Sequence, residues 1–248
     1  MKKKNNAVLG IIPARFASTR FPGKPLALIG SVSMIERVYR QAQKSKLLSE
    51  IIVATDDKRI FNHVKSFGGN VVMTSAKHKS GTDRCAEVIR KKKNFDVVIN
   101  VQGDEPFIHP KQIDQLAGAF KKRETQIATL IKRIGSKDEL LNPNIPKVVR
   151  SKKGKAINFS RAVIPVSKAI DLKKNIFYKH IGIYGYRTDV LLKISRLKQS
   201  PREKAESLEQ LRWLENGYKI NTVVTRYSNH AVDTPEDVLK IEKLFRLK

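Results

Sequence analysis

Cysteine is almost absent: Cys85 is the only one in 248 residues, so no intramolecular disulfide can form, and no His/Cys cluster has the spacing of a zinc site. A fold without either staple rests on its apolar core, and a chain of this length can bury one. Long apolar runs are missing too, since none approaches the roughly 18 residues of a membrane span. The apolar stretch 7–12 is too short for the core of a signal peptide and is interrupted at once by Pro13-Ala14-Arg15, so the expectation is a cytoplasmic protein with no membrane insertion. Acidic residues are scarce: 23 Asp and Glu face 50 Lys and Arg, a formal charge of +27. At 40% hydrophobic and 29% charged residues the chain is otherwise ordinary for a globular protein, which excludes wholesale disorder and collagen-like structure.

A charge of this size raises the alternative of a basic nucleic-acid-binding protein. Such proteins cluster their cations on one helix or face, often with aromatics for base stacking. Here the lysines are dispersed, in short groups at Lys2 to Lys4, Lys91 to Lys93, Lys121-Lys122, Lys152-Lys153 and Lys173-Lys174 and singly elsewhere. The pattern fits a lysine-rich surface that speeds the arrival of small anions better than a nucleic-acid patch.

Short runs of β-branched residues at 7–12, 51–54, 70–73 and 97–101 predict strands. Between them Met34, Ile35, Val38, Tyr39 and Ala42, then Ile60, Phe61, Val64 and Phe67, then Ala86, Val88 and Ile89 recur at helical spacing. Alternation of this kind implies βαβ units and an α/β fold with a mostly parallel central sheet flanked by helices. After a helix around Ile113 and Leu116 the pattern changes. Candidate strands at 127–131, 147–150, 156–159 and 181–186 follow with little helix between them, which predicts a small mixed or antiparallel lobe. A helix over 201–216, a strand over 220–225 and a last helix capped by Thr234, with Pro235 at its first position, complete the chain.

Candidate chemistry lies where strands end, the edge at which open parallel sheets bind ligands. The first strand runs into Arg15-Phe16-Ala17-Ser18-Thr19-Arg20-Phe21-Pro22-Gly23-Lys24-Pro25, a loop of small residues with Arg15, Arg20 and Lys24 suited to a polyphosphate. Pro25 after Gly23-Lys24 excludes a Walker A loop. A second motif, Gln102-Gly103-Asp104-Glu105-Pro106, ends the most hydrophobic strand. Its glycine permits close backbone approach, and Asp104 offers the hard oxygen that Mg²⁺ prefers. A third, Val232-Asp233-Thr234-Pro235-Glu236-Asp237, leaves Asp233 free of the helix that Thr234 caps. On its own Asp233 suits a solvated turn, and a ligand role requires Asp104 beside it in space.

These motifs, with Ser80-Gly81-Thr82-Asp83-Arg84, Asn142-Pro143-Asn144 with Lys147-Val148-Val149, Phe159-Ser160-Arg161-Ala162, His180-Ile181-Gly182-Ile183-Tyr184-Gly185-Tyr186-Arg187 and Leu208-Glu209-Gln210-Leu211-Arg212, occur in order along nearly the whole chain. Together they resemble the 3-deoxy-manno-octulosonate cytidylyltransferases, the CMP-Kdo synthetases of lipopolysaccharide synthesis. The resemblance implies a nucleotide-diphospho-sugar transferase-like fold over 1–248, with a sugar-binding and dimerisation lobe at about 127–200, and a homodimer. It implies CTP and Kdo as substrates and Mg²⁺ as cofactor, with CMP-Kdo and pyrophosphate as products. Arg15, Arg20 and Lys24 would then hold the triphosphate, Arg84 and Gln102 the nucleotide, and Asp104 and Asp233 the metal. Lys24, Asp104 and Asp233 would form the catalytic set, while Arg161, His180, Tyr184, Glu209 and Gln210 would line the sugar pocket. His180 and Tyr184 suit a core position equally well, and Glu209 and Gln210 suit the wet face of a helix. A CMP-sialate synthetase is the nearest alternative activity. The stretch 226–231 departs from the glycine-rich approach to Asp233 that the family favours.

Overall fold

Apolar runs separated by amphipathic segments bury both faces of a sheet beneath helices. The computed structural model describes residues 7–166 and 171–247; the opening run 1–6, with Lys2, Lys3 and Lys4, lies outside them. The chain starts with β1 (Val8–Ala14), whose residues are buried on both faces as an inner strand requires. A short hairpin, β2 (Leu28–Ile29) and β3 (Val32–Ser33), leads into α1 (Met34–Gln43). The βαβ alternation continues through β4 (Glu50–Thr55), α2 (Lys58–Ser66), β5 (Val71–Met73), α3 (Gly81–Lys91), β6 (Val97–Asn100) and α4 (Pro110–Gly118). Then come β7 (Ile127–Arg133), α5 (Lys137–Leu141), β8 (Lys147–Arg150), β9 (Ala156–Ser160), β10 (Tyr178–Arg187) and α6 (Thr188–Ile194). The chain closes with α7 (Pro201–Glu206), α8 (Gln210–Glu215), β11 (Ile220–Val224) and α9 (Pro235–Phe245).

Among the described residues the main sheet has nine strands and runs β11-β7-β10-β6-β1-β4-β5, with β8 beside β10 and β9 beside β8. Strand β1 pairs in parallel with both β4 and β6, and Ile11 sits between Ile52 and Asn100. The β4–β5 and β7–β11 pairs are also parallel, whereas β10 runs antiparallel to β6, β7 and β8. The expected parallel core with an antiparallel part is therefore present. Within 127–200, β7 and the end of β10 are inner strands of the main sheet, and β8 and β9 extend beyond it. One core layer packs Ile35, Val38, Ile60, Val64, Ile113 and Leu116 on the sheet, and the opposite layer packs Val88, Ile89, Leu191, Leu211 and Trp213. Cys85 is buried in the second layer, where burial pushes its thiol pKa far up.

The helix expected over 201–216 is broken in two. Ser207 takes a left-handed φ of 52° and ends α7. Glu206 turns to accept from Ser160 Oγ at 2.6 Å and the Arg161 amide at 2.9 Å, and Glu209 turns instead toward Thr82. Leu208 and Leu211 stay buried across the break, so the apolar spacing survives while the backbone does not. No helix among the described residues is long and apolar enough to cross a membrane.

Candidate active site

Strands β4 and β5 lie on one side of β1 and β6 on the other, so the chain reverses its direction of winding between β1 and β6. Their carboxyl ends open a crevice there. The loop that leaves β1 folds back on itself: the Gly23 amide donates to Phe16 O at 3.0 Å, and Gly23, at φ +71°, turns the chain into a short 3-10 turn at Lys24–Leu26. Lys24 is thereby aimed across the crevice. Its Nζ donates to Asp104 Oδ2 at 2.9 Å, to Val232 O at 3.0 Å and to Asp233 Oδ1 at 3.4 Å. Arg20 makes a bidentate pair with Asp233, both contacts at 3.1 Å. Arg15 makes no ion pair among the described residues. In this state the loop's cations are largely neutralised by the two carboxylates.

Asp104 reaches this position because the end of β6 lies directly on the end of β1. The Val101 amide donates to Ile11 O at 2.8 Å, and a Cβ on Gly103 would sit 2.8 Å from Pro13 O. Glu105, next along the chain, is buried; burial first and Asp104 second push its pKa up to about 7, against hydrogen bonds from Asn229 and His230. Asp233, read from the sequence as a ligand only if Asp104 stood beside it, shares the Lys24 ammonium with Asp104.

The crevice is a cavity of about 260 Å³. Its lining includes Arg15, Arg20, Lys24, Arg84, Gln102, Asp104 and Asp233, all the residues that sequence reasoning assigned to nucleotide and metal. On the far wall Ser80 and Asp83 form the capping box of α3. Arg84 behind them is 3% exposed, with its guanidinium bound to Asp56 at 3.0 Å and to Thr74 Oγ1. Sequence reasoning missed Asp56 and Thr74, and also His78, which lines the cavity and pairs through Nε2 with Glu87 Oε2 at 2.6 Å. Partial burial pushes Glu87 up, but hydrogen bonds from Lys91, the Ser75 amide and His78 outweigh it and hold the carboxyl at about 2.

The five candidate sugar residues lie outside the cavity lining. His180 and Tyr184 stand on β10 with ring centroids 5.1 Å apart, and His180 Nε2 is 2.9 Å from Thr129 Oγ1. Burial lowers the His180 pKa to about 3, so the ring is neutral at physiological pH. Gln210 is buried rather than on a wet face, and Glu209 accepts from Thr82 Oγ1 at 2.8 Å, which ties this group to the α3 end of the cavity. The Nε2 of Gln210 is buried and has no hydrogen-bond partner among the described residues. Arg161 is bound to Glu206 O at 2.8 Å and Pro143 O at 3.2 Å, while Phe159, two residues before it, meets the His180 imidazole edge-on.

No group of three or more His, Cys, Asp or Glu side chains among the described residues could hold a metal. The donor set still fits Mg²⁺. Two carboxylates converge on a single cationic group, Lys24 Nζ, and Mg²⁺ characteristically takes one or two carboxylates while substrate phosphates and water complete its octahedron.

A phosphate-type loop, a convergent carboxylate pair and a crevice at the carboxyl edge of a mostly parallel sheet define a nucleotidyltransferase-like α/β protein. A family model described as cytidylyltransferase matches residues 9–220. A 3-deoxy-manno-octulosonate cytidylyltransferase from Parabacteroides distasonis is 54% identical over 241 residues, covering 94% of this chain and 95% of the relative. One from Cytophaga hutchinsonii is 52% identical, covering 96% and 97%. Among solved structures, a CMP:2-keto-3-deoxy-manno-octonic acid synthetase complexed with CTP superposes with a TM-score of 0.91 at 41% identity, over 97% of this chain and 98% of that one. The chain belongs to the 3-deoxy-manno-octulosonate cytidylyltransferase family.

Proposed function

We propose that the chain transfers CMP from CTP to the anomeric hydroxyl of Kdo, releasing pyrophosphate and supplying CMP-Kdo for lipopolysaccharide synthesis. The observation that carries this reading is the meeting of Lys24, Asp104 and Asp233 at one point of a cavity that Arg15, Arg84 and Gln102 also line. The anomeric hydroxyl attacks the α-phosphorus in line as pyrophosphate departs, a reaction that depends on positioning and charge neutralisation more than on covalent help. Arg15 and Arg20 hold the triphosphate together with Lys24, which exchanges its carboxylate partners for phosphate oxygens as the nucleotide enters. Arg84, fixed by Asp56 and Thr74, shapes the nucleoside wall with Gln102. Asp104 and Asp233 hold Mg²⁺, which when bound supplies neutralisation of phosphate charge. His180, Tyr184, Glu209, Gln210 and Arg161, beyond the lining of the nucleotide cavity, are assigned to the sugar on the resemblance, and Glu209 links them to the cavity through Thr82. The neutral imidazole and the buried Gln210 amide suit hydroxyls.

The same reading takes the protein to be a cytoplasmic homodimer. The transferase itself is tested by Asp104→Asn, which is expected to lower pyrophosphate release from CTP, Kdo and Mg²⁺ by at least about 100-fold with unchanged circular dichroism. Full activity in that variant contradicts the metal assignment. Competition between Kdo and sialic acid at fixed CTP separates this activity from CMP-sialate synthesis.

A further inference from the structure

Asp233 is reached from β11 through residues 225–232, a stretch with neither helix nor strand and no glycine. It is nonetheless held at almost every residue. The Arg226 guanidinium lies 5.6 Å from the Tyr227 ring centroid, and that ring stacks on His109 at 3.9 Å and 18°. Ser228 Oγ accepts from Lys132 Nζ at 2.7 Å, and Asn229 Oδ1 accepts from Gln112 Nε2 at 2.7 Å. The His230 ring meets Phe245 edge-on at 5.4 Å. Val232 is fully buried, its amide donating to Asp104 O at 2.9 Å and its carbonyl accepting from Lys24 at 3.0 Å.

Two of these anchors belong to one rigid body. His109 caps the first turn of α4 and accepts from the Lys111 amide at 3.2 Å, while Gln112 Oε1 accepts from the His109 amide at 3.2 Å. Gln112 is fully buried, so its amide group is fixed by the capping box on one side and by Asn229 on the other. The head of α4 follows Asp104 directly in the chain, after Glu105, Pro106, Phe107 and Ile108. The segment that carries one carboxylate therefore grips the strap that carries the other.

We propose that His109 and Gln112 are positioning residues that hold the 226–232 strap, and through it set Asp233 at the distance from Asp104 that a divalent cation requires. The proposal rests on the assignment of Asp104 and Asp233 as the cation pair. Two carboxylates brought together repel one another, and Asp233 is 41% exposed at the end of an irregular stretch. From the α9 side its amide is held by Asp237 Oδ2 at 3.1 Å, so loss of the strap's anchors frees it on the other side, and each cation that displaces Arg20 and Lys24 would then have to gather it back at a cost in affinity.

The test works from the strap side, which leaves the capping box of α4 intact. Tyr227→Ala and Asn229→Ala are compared with Tyr227→Phe, which keeps the stacked ring, and with Asp104→Asn. Binding of Mn²⁺ to the full-length protein is followed by the loss of its free EPR signal. Weakening of Mn²⁺ binding by about tenfold in both alanine variants, with native affinity in Tyr227→Phe, is the expected result. The same variants should raise the Mg²⁺ concentration for half-maximal turnover and recover kcat at saturating Mg²⁺. A lowered melting midpoint with Mn²⁺ affinity within twofold of the parent overturns the proposal, because the strap is then only structural. Unchanged Mn²⁺ binding in Asp104→Asn overturns the cation assignment beneath it, whereas its loss there with native binding in the alanine variants overturns the strap alone.

Discussion

Gly103→Ala is the smallest change that should separate the two halves of the site. The added Cβ would lie 2.8 Å from the carbonyl oxygen of Pro13, closer than real Cβ atoms come. The obstacle is backbone, not the end of a flexible side chain, and Pro13 cannot retreat alone because β1 is paired with both β4 and β6. The ends of β1 and β6 must then part by on the order of 0.5 Å to restore contact distance. That displacement falls between the loop of Arg15 and Lys24 and the carboxylate of Asp104. Overpacking of this kind costs about 1–3 kcal/mol of stability. A misplacement of half an ångström between reacting groups should lower turnover by about tenfold. Pyrophosphate release and thermal melting measure the two effects on one preparation. Gly118→Ala is the control: it ends α4 in helical conformation with nothing within 4 Å of the new Cβ, and should stabilise by about 0.5–1 kcal/mol with native turnover. Native turnover and melting in Gly103→Ala would refute the claim that the two strand ends are in forced contact.

Two further outcomes follow from titration. His180, held at about 3 by burial against the ordinary imidazole value of 6.5, should show no NMR titration between pH 8 and 5; a midpoint near 6.5 would mean that the ring is solvated. Glu87, held at about 2 against 4.5, contributes stability that is complete above about pH 4.5 and lost as pH falls toward 2. Glu87→Gln should thus cost about 1 kcal/mol at pH 7 after solvent screening, with the gap to the parent narrowing by pH 3.5 in urea melts. A gap that is constant with pH would show that the hydrogen bonds matter and the charge does not.

The parallel half of the fold was legible because each strand is a β-branched run and each helix repeats its apolar residues on one face. The first loop and Asp104 were legible for a related reason: a hydrophobic strand that runs straight into glycine, cations or an acid marks the carboxyl edge of a sheet. Asp233 needed the fold, since only three-dimensional proximity to Asp104 distinguishes it from a turn acid. The break at Ser207 was hidden because Leu208 and Leu211 keep helical spacing while Glu206 and Glu209 are drawn to different elements. Lys147, part of a motif that carried the resemblance, gave no sign of its burial. Among so many surface lysines nothing marked it as fully buried, with its ammonium donating to Asn142 O at 2.7 Å and Arg161 O at 2.9 Å. Asp56, Thr74 and the His78–Glu87 pair were missed because they act through contacts between separate elements, which leave no periodicity or spacing in the chain. The excess of cations finds only a small part of its explanation at the site, in Arg15, Arg20, Lys24 and Arg84.

The central claim is that one cavity joins CMP to a keto-sugar acid. Its most direct test is ³¹P NMR of purified protein with CTP, Kdo and Mg²⁺. Pyrophosphate and a new phosphodiester resonance should grow in equal amounts, with neither formed when Kdo is omitted. Release of orthophosphate, or phosphodiester formation with sialic acid but not with Kdo, would contradict it.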